Sequence, residues 1–362
     1  MRQYQLALAP LSLLSIALLA GCGGGGGGNQ VTKIQFSSVV TFGDSLSDVG
    51  SYNVGAITAL GGGHYTVNSQ TNGAPTPSNW TELITATLGQ TPLCAAETGL
   101  QGSGPGFSVP ITLHPTCTSY AMGGARVTNA VGPGNALLGG SNAILGQLTI
   151  PVVTQIGNHL ALHSGAFSGN EVVFVLAGGN DAILQFTAVA NQVSTPTAAV
   201  TAMGKAGGEL AGYVNNLLVG KGAHYVVVVN LPDLSTTPMG TSAEAAAPGS
   251  QALINTMVTT FNTQLQSGLV AGPNVLYVDA HAISADQVKN PAIYGLTNVT
   301  TPACNLSPSV NALGSSLVCN ASNVVAGDVS HYQFADTVHP TPYGNLLLAR
   351  YVSSQMAIKG WL

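Results

Sequence analysis

The sequence predicts an α/β protein built on a mainly parallel sheet covered by helices on both faces. Two observations carry that reading: short apolar runs that are continuous instead of alternating, and stretches of helical spacing between them. A strand buried on both faces has no side that must be polar, so an unbroken apolar run is the expected signature of a parallel-sheet strand.

The runs, rich in Val, Phe and Tyr, are Phe36–Phe42, Val172–Ala177, Tyr225–Asn230 and Val275–Val278. The first helical stretch, Ser78–Leu88, starts at a capping candidate, Ser78, with Glu82 in its first turns, and carries Trp80, Leu83, Ile84 and Leu88. Thr197–Leu218 follows a proline and gathers Val200, Met203, Leu210 and Val214 largely on one side. Ala252–Val270 repeats the pattern through Ile254, Met257, Phe261 and Leu265, and Pro342–Ile358 closes the chain. The segments Gly61–Pro77, Leu93–Ser119 and Ser284–Phe334 are rich in Gly, Thr, Asn and Pro and show no sustained period. They read as long loops and as walls of a binding site.

Ahead of this domain, the apolar run Leu6–Ala20 follows one Arg and is too short to remain as a membrane-spanning helix, so it reads as an export signal. It ends in Leu19-Ala20-Gly21-Cys22, which resembles the lipobox at which bacterial lipoproteins are cleaved and acylated, making Cys22 the expected lipid-bearing residue. Gly23–Gly28 has no side chains to bury and great backbone freedom, as a tether between anchor and domain requires. The expected organisation is therefore a lipoprotein signal over residues 1–22, a Gly-rich tether over 23–34 and one domain over 35–362, placed at the bacterial cell envelope or secreted.

Charged residues make up only 6% of the chain, and the net charge of -5 with eight Lys and Arg leaves no basic patch for nucleic acid. Beyond Cys22 there are four cysteines, and in an exported chain Cys94 with Cys117 and Cys304 with Cys319 are the natural disulfides, although three connectivities are open. No CxxC spacing or histidine cluster accompanies them, so no metal is expected.

In an open parallel sheet, ligands bind beyond the carboxyl ends of the strands. The run ending at Phe42 passes straight into Gly43-Asp44-Ser45-Leu46-Ser47-Asp48, where a tight turn would expose Ser45 as a nucleophile. By itself this block equally describes a turn that caps a helix. The second run passes into Gly178-Gly179-Asn180-Asp181, delivering to the same edge an amide able to donate to an oxyanion, or else a simple Asn-Asp turn. In Tyr120-Ala121-Met122-Gly123-Gly124-Ala125, two glycines allow a backbone N–H to approach a substrate or merely allow close packing. Near the end, Asp336 and His339 stand three residues apart, a spacing that on a helical turn aligns carboxylate and imidazole. That companion acid separates His339 from His64, His114 and His331 in the loops.

Taken in order, Gly43-Asp44-Ser45-Leu46, Gly123-Gly124-Ala125, Gly178-Gly179-Asn180-Asp181 and Asp336-Thr337-Val338-His339-Pro340 resemble the blocks of the GDSL lipase/esterases, the SGNH hydrolases. The resemblance spans nearly the whole chain beyond the tether and implies a three-layer α/β/α sandwich of flavodoxin-like type. It also implies Ser45 as nucleophile, Asp336 and His339 as its partners, and Gly124 (or Gly123) with Asn180 as oxyanion donors. Thr71-Asn72-Gly73 before Trp80 looks like the family's helix lead-in, with Trp80 four residues beyond the usual spacing. The resemblance implies a serine ester hydrolase without cofactor, expected to be monomeric, nearest the secreted lipase, phospholipase and acyltransferase branch. A carbohydrate O-acetyl esterase is the alternative within enzymes, and a non-catalytic surface binding lipoprotein the alternative outside them.

Overall fold

The computed structural model describes residues 34–71 and 74–362. The export signal, Cys22, nearly all of the tether, Asn72 and Gly73 lie outside the described residues. The four apolar runs form four parallel strands, β1 (Val39–Gly43), β2 (Val172–Leu176), β3 (Tyr225–Val229) and β4 (Val275–Val278), hydrogen-bonded in that order. Val39 lies opposite Val172, Val172 opposite Tyr225, and Val226 opposite Val275.

Residue alternation along these strands feeds two separate cores. Val40, Phe42, Val173, Val175 and Val228 pack on one face against α2 (Val152–Leu162), α4 (Pro196–Tyr213) and α5 (Ser250–Gly268), through Ile156, Met203, Leu210 and Phe261. Val39, Phe174, Leu176, Val227 and Val278 pack on the other against α1 (Trp80–Thr87) and α7 (Pro342–Lys359), through Trp80, Ile84, Val352 and Met356. The result is a three-layer α/β/α sandwich. Each large side chain removed from water contributes roughly 1.5–3 kcal/mol, so both helical layers are needed to offset the entropy lost on chain ordering. Several helices were not foreseen, among them α2, the short helix Pro238–Ala246, and α6 (Ala280–Lys289), of which only Ala280 and Gln287 are buried. Another, α3 (Gly179–Ala190), begins at the Asn-Asp turn.

One strand-like segment sets the position of the site. Thr118–Met122 runs beside β1, with Thr41 N–H donating to Thr118 O (3.0 Å), Tyr120 N–H to Thr41 O (2.8 Å) and Met122 N–H to Gly43 O (3.1 Å). β1 thus lies between two segments that come after it in sequence, and the chain leaves it in both directions. Ligand crevices in open α/β sheets form at such a switch point.

Local expectations need correction as well, including the loop reading of Ser284–Phe334, into which α6 extends as far as Lys289. The first helix is capped by Asn79, not Ser78: its side chain accepts from Thr81 N–H, and Glu82 Oε2 returns to Asn79 N–H at 2.9 Å. Ser78 N–H also donates to Glu82, which is why it mimics a cap in sequence. Leu93–Ser119 is not wholly loop, since Glu97–Gln101 pairs antiparallel with Ser108–Leu113. Both expected disulfides are present, Cys94–Cys117 and Cys304–Cys319. Among the described residues, no helix is long and apolar enough to cross a membrane.

Candidate active site

The turn after β1 is built around Gly43. A Cβ there would lie 2.2 Å from Leu176 O, so only glycine lets β1 and β2 remain paired to their ends. The Gln155 amide from α2 brackets the same residue, accepting from Gly43 N–H at 2.9 Å and donating to Gly43 O at 2.8 Å. Ser45 comes next but one, with 8% of its surface exposed. Behind it, Asn79 Nδ2 donates to Leu46 O (2.8 Å) and Trp80 Nε1 to Ser47 Oγ (3.2 Å), fixing the turn to α1. Asp44 is buried and accepts from Leu46 N–H at 3.0 Å. Burial pushes its carboxyl up to about 7, against the pull of that N–H and of His339.

Asp48, the last residue of the block, acts as a buried hub. Its carboxylate accepts from Gly50 N–H and Ser51 N–H (2.8 Å each), from the Ser51 hydroxyl, and from Gly123 N–H across the fold (2.8 Å). Burial still raises its pKa, and the hydrogen bonds oppose the rise. With Gly123 held in this way, the next residue, Gly124, turns at φ +75, where a Cβ would meet Pro133 O at 2.2 Å. Among the described residues, Gly124 N–H and Ser45 N–H have no hydrogen-bond partner. The far side of this turn is held by Asp181, which accepts from Val127 N–H (3.0 Å) and Arg126 Nε (2.8 Å). Asn180, in the first turn of α3, donates one amide hydrogen to Ala125 O at 2.8 Å and keeps the second.

Asp336 and His339 do not lie on a helical turn. The chain folds over the carboxylate instead: Asp336 Oδ1 accepts from Val338 N–H (2.9 Å) and His339 N–H (2.8 Å), and Ala335 N–H closes the loop on His339 O (2.7 Å). Asp336 Oδ2 accepts from Ser316 N–H at 3.0 Å. The imidazole then spans two partners, with Nδ1 2.8 Å from Asp336 Oδ2 and Nε2 2.8 Å from Ser45 Oγ. Burial works against the Asp336 carboxylate, but the charge and hydrogen bonds of His339 and the Ser316 N–H hold it well below the usual range. Tyr65 lies over His339 with ring centroids 4.8 Å apart, and its hydroxyl accepts from Gln147 Nε2 at 2.5 Å.

A pocket of about 410 Å³ collects Ser45, Gly124, Asn180 and His339 in one wall, with Tyr65 and Gln147 beside them. Leu145, Ile183, Leu313 and Leu317 supply an apolar lining, and exposed Ser141 and Ala312 stand at the rim. Of the loop histidines, His114 Nε2 pairs with the Thr98 hydroxyl, His331 stacks on Tyr343, and buried His64 has Nε2 3.6 Å from Glu82 Oε1. Among the described residues, no three His, Cys, Asp or Glu side chains cluster as metal ligands would. Gln155, Ser316 and Tyr65 act from remote positions that no local sequence pattern marks. Asp48 closes the Gly43–Asp48 turn, and its place three residues after Ser45 was the available signal.

Residues 39–352 match the model of a family described as GDSL-like Lipase/Acylhydrolase. A GDSL esterase/lipase of Arabidopsis thaliana is 27% identical over 350 residues, covering 86% of this chain and 85% of the plant protein. A second from the same plant is 23% identical over 376 residues, covering 95% of each. Esterase EstA of Pseudomonas aeruginosa is 31% identical over 144 residues, 37% of this chain and 20% of that protein.

Proposed function

Since the chain belongs to the GDSL-like lipase/acylhydrolase family and is a carboxylic ester hydrolase, we propose that it cleaves esters in two steps through an acyl-enzyme on Ser45. The carrying observation is the imidazole of His339, hydrogen-bonded to Ser45 Oγ on one nitrogen and to Asp336 on the other. His339 Nε2 takes the Ser45 proton as Oγ bonds to the ester carbon, and Asp336 stabilises the imidazolium and fixes its tautomer. The carbonyl oxygen becomes an oxyanion facing Ser45 N–H, Gly124 N–H and the second Asn180 amide hydrogen. Collapse breaks the carbon–oxygen bond to the alcohol, which leaves with the proton from His339. Water, deprotonated by the same nitrogen, then releases the acid and restores Ser45. Gly124 is assigned the donor role over Gly123 because Gly123 N–H is occupied by Asp48.

The two disulfides fit an exported protein. Export, and anchoring through a lipid on Cys22, belong to the same proposal and rest on the sequence alone.

Hydrolysis of a nitrophenyl ester by Ser45→Ala and by His339→Ala should fall by several orders of magnitude, and near-normal turnover in either variant rejects the assignment. Asn180→Ala should lose about 10²–10³ in rate.

A further inference from the structure

Beside the Ser45 pocket lies a second, smaller crevice of about 60 Å³. The two share three side chains: Leu46, immediately after Ser45; Val338, immediately before His339; and Leu234, from the loop after β3. A ligand group entering the crevice therefore passes between the residues that flank the nucleophile and the base. The oxyanion donors Gly124 and Asn180 line only the larger pocket, so the crevice is built for a substituent of the reacting carbon and not for its oxygen.

Exposure decides which substituent. No residue lining the crevice is exposed, whereas the larger pocket opens past Ser141 and Ala312. During deacylation the acyl group must stay bound while water reaches the carbon from the side the alcohol has left. The more sheltered crevice suits the acyl chain, and the more open pocket suits the alcohol and then water.

The crevice wall is apolar at Ile283, Val288, Phe334 and Leu348, but it also carries Gln287 and Gln333, both more than nine-tenths buried. Gln333 Nε2 donates to Gln287 Oε1 at 3.1 Å, which leaves Gln333 Oε1 buried with no partner and Gln287 Nε2 without one among the described residues. A buried acceptor left unpaired is costly, and a ligand hydroxyl, being both donor and acceptor, satisfies such a pair of amides.

Resting on the reading of Ser45 as nucleophile, we infer that this crevice is an acyl subsite for esters of short hydroxy acids. The hydroxyl meets Gln333 and Gln287, and Leu46, Leu234 and Val338 set the entrance.

Ratios of kcat/KM between substrates test this, because a ratio is independent of the fraction of enzyme that is folded and active. Ethyl acetate, butanoate, 2-hydroxybutanoate and 3-hydroxybutanoate serve as probes, with acid release as the measurement. The wild type should favour the better hydroxybutanoate over butanoate by about tenfold, and Gln333→Met should abolish that preference. Ile283→Phe, which fills the crevice, should lower the ratio of both C4 acyl groups to acetate by about tenfold. If either variant leaves its ratio within twofold of wild type, or the wild type shows no hydroxyl preference, the inference is overturned. Turnover of all four esters by Ser45→Ala would instead refute the underlying reading.

Discussion

Ser45, Gly124 and Asn180 sit just beyond β1, the Thr118–Met122 segment and β2, whereas Asp336 and His339 sit in a stretch from Gly295 to Thr341 whose only helix is the 3-10 turn Ser316–Val318. The first group inherits its position from the sheet: a ladder fixes each strand end, and a buried side chain such as Gln155 or Asp48 fixes the turn. The second group has no ladder beneath it. Its anchor is the Cys304–Cys319 disulfide, which packs with Ala335. Cys304 N–H donates to Ala335 O (2.9 Å) immediately before Asp336, and Ser316, in the turn leading to Cys319, donates to the Asp336 carboxylate. Both solutions place a side chain within hydrogen-bond reach of the other. They differ in what must be removed to lose that placement.

The largest effect is expected at the carboxylate that organises the second group. Asp336 accepts from Val338, His339 and Ser316 backbone N–H groups as well as from the imidazole. Asp336→Asn offers one acceptor oxygen where two were used, so some donors are left unpaired and the tautomer of His339 is no longer specified. The kcat should drop by about 10³–10⁴. A variant within tenfold of wild type would mean that the loop positions His339 without the carboxylate.

Next in size is a contrast between the two disulfides, which close chain lengths of 15 and 23 residues and should stabilise similarly, by about 3 kcal/mol each. Replacing either pair by serines should therefore lower the melting temperature by a comparable amount. Activity should separate them. Removing Cys304–Cys319 loosens the grip on Asp336 and should reduce kcat well below the folding midpoint, whereas removing Cys94–Cys117, at the base of the Glu97–Leu113 hairpin, should leave kcat near wild type. Equal activity losses would show that loop and sheet edge are not independently anchored.

The same contrast explains what was legible in the sequence. The four strands could be read because both faces of each pack against apolar side chains, which prints an unbroken apolar run. Ser45 and Asn180 could be placed because each comes directly after such a run. The spacing of Asp336 and His339 was visible but not their conformation, since three residues can separate two side chains on a helical turn or across a chain folded over a carboxylate. Ser316 meets Asp336, and Cys304 meets the neighbouring Ala335, only through tertiary folding, and no local pattern records it. Helix α6 was missed for a simpler reason: with only Ala280 and Gln287 buried, it has no apolar stripe. The N-cap shift from Ser78 to Asn79 arose because Glu82 accepts from both residues' N–H groups.

The smallest expected effect belongs to the strand-rooted group and concerns stability. Asp44 is buried beside Ser45, and burial raises its carboxyl from 3.8 to about 7 in the folded protein. Between those values the folded protein holds a proton on Asp44 that the unfolded chain has released. Unfolding free energy therefore falls as pH rises through this window and levels off above about 7. Asp44→Asn keeps an oxygen for the Leu46 N–H and removes the titration. The variant should gain stability relative to wild type as pH rises from 4 to 7, and the gain should level off above neutrality. Urea unfolding at pH 4.5 and pH 8 measures the difference. A gap between variant and wild type that does not widen with pH would mean Asp44 is already ionised at pH 4.5. Its charge would then be held by the sheet-edge N–H groups as firmly as Asp336 is held by its loop, and on this point the two regions would be alike.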